Sequence, residues 1–141
     1  MDPNADFELR DRILFGNPID WQRRKLPPGC SERFDKLDLE GLETLLQSGF
    51  ILPQSTMNGT PKVQDFAEFL RTMRSKSVNF YLEGFTFNPK YENGEGRVYL
   101  EGIVREGTYS AETGFAFAQF VAPWKPDELS LKPELLRAWW D

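Results

Sequence analysis

The chain contains no histidine. That absence excludes Ser-His-Asp and Cys-His nucleophile pairs, imidazole-ligated metals and the side chain that normally shuttles protons near neutral pH. Cysteine occurs once, as Cys30, so no intramolecular disulfide can form and a multi-cysteine zinc site is ruled out. No apolar run approaches the ~20 residues that a membrane-spanning helix needs. The N-terminal stretch MDPNADFELRDR is charged and lacks the apolar segment of a secretory leader, so a cytoplasmic protein without a membrane partner is expected. A basic surplus is missing too. With 22 acidic residues against 17 basic ones the formal net charge is −5, which argues against a partner recognised by phosphate neutralisation.

What is present is enough to build a core. The 141 residues include 12 Phe, 4 Tyr and 4 Trp, a composition that disordered chains do not have, and the length suits one domain over 1–141. Residues 1–34 read as an N-terminal helix and loop. Asp2-Pro3 offers a cap, Gly16 a stop, and Pro18, Pro27, Pro28 and Gly29 act as breakers. Residues 35–76 read as a helical pair. Asp38 caps a helix whose Leu39, Leu42, Leu45 and Leu46 share a face, and Gly49 permits a left-handed ending that folds Phe50 back toward Leu45. Thr60-Pro61 opens a second helix, with Val63, Phe66, Ala67, Leu70 and Met73 at helical spacing.

Residues 77–123 read as an antiparallel sheet of three strands: 78–88, 97–106 and 113–122. The last of these, TGFAFAQFVA, alternates Phe with Ala and is a candidate uncovered edge. Asn93-Gly94 is a strong two-residue turn signal between the first two. Residues 124–141 read as a short C-terminal helix, with Pro133 at its first turn and Leu135, Leu136, Trp139 and Trp140 as an apolar stripe. The fold expected is α+β: N-terminal helices on one face of a three-stranded meander, closed by that helix. The inner face is expected to carry Phe80, Leu82, Phe85, Phe87, Leu100 and Phe117.

The words YLEG occur twice, at 81–84 and 99–102. Two copies of four residues do not make a solenoid repeat. A turn at Asn93-Gly94 pairs Phe85 with Gly102, Gly84 with Ile103 and Phe87 with Leu100, which sets each glycine against a bulky side chain. The apolar alternation changes phase at Gly84, the mark of a bulge near Glu83-Gly84. On that register Glu83 and Glu101 stand three residues apart, about 10 Å, too far for carboxylates that share a proton. Both are expected to face water.

Few other residues invite chemistry. Arg23-Arg24-Lys25 follows Trp21 and could hold a phosphate or a base, but a short cluster in an acidic chain reads better as a solvated loop. Cys30 near Arg33 lacks a base to activate it. Gly94-Glu95-Gly96 joins two strands rather than a strand and a helix, so it reads as turn and not phosphate cradle. Hence no catalytic residue, cofactor or metal is expected. The leading expectation is a non-enzymatic module that binds a protein partner, or itself, through aromatic surface, with Leu136, Trp139 and Trp140 as the partner-binding candidates. The alternative is a small-ligand pocket between helices and sheet.

Overall fold

The computed structural model describes residues 5–24, 30–90 and 96–141. Their order is α1 (Phe7–Phe15), β1 (Ser31–Leu37), α2 (Leu39–Gln47), α3 (Val63–Ser75), β2 (Tyr81–Phe87), β3 (Val98–Glu106), α4 (Ala111–Val121), β4 (Glu128–Lys132) and β5 (Leu135–Trp139). Short 3-10 turns sit at Trp21–Arg23 and Ala122–Trp124. The class is α+β, and the strands form one antiparallel five-stranded sheet in the order β1-β2-β3-β5-β4. Among the described residues no helix is long and apolar enough to cross a membrane.

The first two helices form for the reasons their sequences give. Asp6 caps α1 by accepting from the Leu9 N–H at 3.0 Å, and Gly16 ends it in the left-handed region at φ 80°. Asp38 caps α2 through the Gly41 N–H. At its far end Gly49 turns left-handed and the Phe50 N–H donates to Leu45 O at 3.0 Å, which carries the buried Phe50 ring back to the core. The start of α3 differs from expectation: Thr60 turns its hydroxyl to the Met57 N–H, and Lys62 stands at the cap without a side-chain bond.

Three elements depart from the sequence reading. The expected third strand, 113–122, is α4. Its Phe-Ala alternation is incidental, whereas Thr113, Phe117 and Val121 lie four apart and are buried, and the Ser110 hydroxyl caps the Thr113 N–H at 3.1 Å. The expected C-terminal helix is the β4–β5 hairpin. Leu136, Ala138 and Trp140 alternate into the core with strand period, and Pro133-Glu134 are its turn rather than a helix start. The stretch 31–37, expected to be loop to residue 34 and the start of the helical pair beyond it, is β1. A bulge between Phe34 and Leu37 spaces its two buried apolar residues three apart, which hides the strand period.

The β2–β3 register also shifts. Glu83 pairs with Gly102 and Leu82 with Ile103, then Gly84 pairs with Leu100, so the bulge lies where expected but its extra residue is Glu101 on β3. Because β2 itself is unbroken, Phe85 and Phe87 stay on the face opposite to Leu82, not with it. The inner face carries Leu82, Leu100, Ile103, Leu136 and Ala138. These join Leu14 of α1, Leu42 and Leu45 of α2, Phe66 and Leu70 of α3 and Phe117 and Val121 of α4 in a single core. The Asn93-Gly94 turn, Asp2-Pro3, Pro27-Pro28-Gly29 and Lys25 lie outside the described residues.

Candidate functional site

The three candidate partner-binding residues fall on β5 and its end, where strand geometry separates them. Leu136 and Trp140 are fully buried. The Trp140 indole N–H donates to Trp124 O at 2.8 Å and its ring meets Phe66 edge-on, with centroids 6.1 Å apart. These two are core residues of the fold. Trp139 points to the opposite, outer face and is half-buried. Alternation of Leu136, Ala138 and Trp140 around Arg137 was the signal in the sequence; a helical stripe needs Leu135 inside, and that residue lies on the outer face.

The outer face is assembled by the sheet register. Trp139 pairs with Gly102, and its ring lies close enough that a Cβ on Gly102 would come within 2.9 Å of Cε3. Gly102 is thus the floor on which the indole rests. Two guanidinium groups reach this ring, Arg33 from β1 and Arg137 from β5, each 5.0 Å from its centroid. Each arginine also holds a carboxylate. Arg137 binds Glu83 with two bonds, at 2.8 and 3.1 Å, and reaches Glu128 at 3.2 Å; Arg33 binds Glu101 at 2.6 Å. The bidentate bond to Glu83 raises the Arg137 pKa further above its usual value. Beside this charged half, Phe85, Phe87 and Tyr99 form an aromatic cluster, with Phe85 stacked on Tyr99 at 5.3 Å and Phe87 set edge-on to both.

Glu83 and Glu101 are therefore neither solvated nor far apart. With Glu83 opposite Gly102, Glu101 is one residue away, and both carboxylates are largely buried. Each is neutralised by its own arginine, an arrangement that holds the sheet face together rather than one that shares a proton. Burial raises the Glu101 pKa above its ordinary 4.5, more than Arg33 lowers it. A raised pKa means that the folded state binds the proton more tightly. The favourable contribution is thus complete below about 4.5 and fades as pH rises through the folded value. Urea unfolding of wild type and Glu101→Gln across the acid to neutral range is expected to show the wild type losing ground to the variant as pH rises. A stability difference that stays flat with pH would show that Arg33 offsets the burial of Glu101 in full.

Of the remaining sequence candidates, the described arginines have partners within the chain. Arg23 pairs with Asp20 at 3.1 Å, and Arg24 pairs with Glu32 while lying over the Trp21 ring. Cys30 is half-buried and its carbonyl accepts the Asn88 N–H. No group of Cys, Asp and Glu among the described residues is arranged to hold a metal ion. A cavity of ≈ 280 Å³ opens beside α1, lined by Phe7, Asp11, Trp21 and Asn88 among others. Two of its polar side chains are engaged within the chain: Asp11 takes bonds from Arg10 and Trp21, and Asn88 bonds Trp21 O and the Lys90 N–H. No family model matches this chain, and neither a curated protein nor a solved structure matches it.

Proposed function

We propose that this protein is a non-enzymatic interaction or accessory module that binds another protein through the outer face of its sheet, with Trp139 as the anchor. The observation that carries this reading is the composition and placement of that face. A half-buried tryptophan, two arginines that touch its ring and a cluster of Phe85, Phe87 and Tyr99 lie together on the side of the sheet away from the core to which α1, α2, α3 and α4 contribute. Trp, Tyr and Arg are the types that dominate binding energy at protein interfaces. Arg33, with its side chain 63 % exposed, offers a partner a charge already oriented by Glu101 and the indole. The alternative, a small ligand in a pocket between helices and sheet, has less support: in the cavity beside α1, Asp11 and Asn88 are already bonded to their own neighbours.

The test is affinity capture from the native host with wild type, Trp139→Ala and Arg33→Ala as parallel baits, followed by titration of the recovered partner. A stoichiometric protein bound by wild type is expected, with affinity reduced about thirtyfold or more in Trp139→Ala. Thermal melts within a few degrees of wild type would show that the variant is folded. A partner that binds the folded Trp139→Ala variant as tightly as wild type would move the site elsewhere on the molecule.

A further inference from the structure

The sheet has two edges, and they are built differently. β1 carries Glu32, Arg33, Asp35 and Lys36 and is broken by a bulge, the usual protections against edge pairing. β4 has the sequence Glu128-Leu129-Ser130-Leu131-Lys132, pairs with β5 in unbroken register, and leaves Leu129 and Leu131 48 % and 52 % exposed. Its backbone orientation follows from its neighbour. The Trp140 N–H donates to Glu101 O, so even-numbered residues of β5 turn their backbone groups to β3. Odd-numbered Leu135, Arg137 and Trp139 turn theirs to β4, where they meet Lys132, Ser130 and Glu128. The N–H and C=O groups of Leu129 and Leu131 therefore point away from the sheet.

We propose that β4 is the seam of a homodimer, in which two copies pair antiparallel about a two-fold axis at Ser130 and join their five-stranded sheets into one. The strand is self-complementary under that operation. Glu128 faces Lys132 of the partner subunit at both ends, Leu129 faces Leu131 of the partner subunit, and Ser130 faces itself. Leu129 and Leu131 are the residues whose outward backbone groups must exchange bonds in this register, so charge, apolar and hydrogen-bond patterns agree on one axis. The four leucines meet on the helix-bearing face, since Leu129 and Leu131 stand in register with buried Ala138 and Leu136. The ion pairs lie on the outer face, where Glu128 already bonds Arg137 at 3.2 Å. The dimer sets two Trp139 faces side by side, which makes the module bivalent.

Sedimentation equilibrium on wild type, Glu128→Lys, Lys132→Glu and the double swap tests the register as well as the dimer. A concentration-dependent dimer is expected for wild type. Each single swap sets like charges across the axis at both ends and is expected to raise the dissociation constant about tenfold or more, and the double swap to restore it. Leu131→Lys, at a half-exposed position that leaves the monomer core untouched, is expected to abolish the dimer while keeping the wild-type circular dichroism and melting profile. A wild type that stays monomeric overturns the proposal, whether or not the edge accepts a strand from some other protein. So does a dimer that is indifferent to the swaps or to Leu131→Lys. Trp139→Ala replaces no residue of this seam, and the charge swaps and Leu131→Lys replace none of the Trp139 cluster, so failure of the dimer and failure of outer-face binding are read by different variants.

Discussion

Replacing Arg10 with methionine is expected to destabilise the fold by about 3–5 kcal/mol, the range for removing one partner of a buried ion pair. Arg10 is fully buried. Its Nε and Nη2 donate to Asp11 Oδ1 at 3.0 and 2.9 Å, and its Nη1 donates to the carbonyls of Phe87 at 3.1 Å and Gly96 at 2.7 Å. The guanidinium carbon lies 5.1 Å from the Phe7 ring centroid and 5.6 Å from that of Trp21. Burial lowers the Arg10 pKa while Asp11 pulls it back up, so the charge is retained because its partner is fixed beside it. Methionine fills much of the volume but leaves a buried carboxylate held only by Trp21 and strips a donor from two carbonyls at the open ends of β2 and β3. With total stability on the order of 5–15 kcal/mol, the loss is a large fraction of it. Thermal unfolding should shift down by about 10–20 °C. The double variant Arg10→Met/Asp11→Leu removes both charges and is expected to recover part of the deficit. If Arg10→Met melted within a few degrees of wild type, the N-terminal helix would contribute little to holding the sheet.

No hydrophobic pattern announces that cluster. Arg10 and Asp11 lie in a charged helix of weak amphipathicity, and their partners, Trp21, Phe87 and Gly96, come from three other parts of the chain. Local periodicity carries no information about such a contact. It does carry α2 and α3, because each has an apolar stripe at helical spacing, and it carries β2 and β3 as strands. At β1 a bulge hid the period, and in the other two places where the sequence misled, two periods were superimposed. Phe115-Ala-Phe117 reads as a strand until Val121 is set against Phe117, and Leu135, Leu136, Trp139 and Trp140 read as a helix until Ala138 is counted as a core residue. At the C-terminus a small residue made the difference, since Ala138 looks neutral in a pattern and is fully buried in the core. The candidate site was half legible for the same reason. Trp139 stood out by type, but Arg33, Arg137, Glu83 and Glu101 meet only because the sheet order sets β5 beside β3 and β1 beside β2.

The bulge is the joint on which that site depends, and Gly84→Ala is the substitution that should break it. An added Cβ at Gly84 would lie 1.9 Å from Tyr99 O, a backbone atom, and 2.8 Å from Phe34 Cζ. A flexible side chain can swing aside, but a strand carbonyl moves only with its strand. To make room β3 must leave β2 where Gly84 pairs with Leu100 and Phe85 with Tyr99, which loses ladder hydrogen bonds as well as packing. The expected cost is about 3–5 kcal/mol, from overpacking together with one or two lost backbone bonds. Gly49→Ala is the matched control. Gly49 has φ 79° with open space around it, so the cost there is backbone strain alone, about 1–2 kcal/mol. The two variants should also differ in where they act. Gly84→Ala should accelerate amide exchange along Tyr99–Gly102 and disturb the Arg33–Glu101 pair, while Gly49→Ala should leave both alone. Denaturant unfolding and residue-level hydrogen exchange on the two proteins decide the matter. Equal and small losses would mean that β3 yields freely at the bulge, and Glu101 and Trp139 would then owe their positions to β5 rather than to the close approach at Gly84.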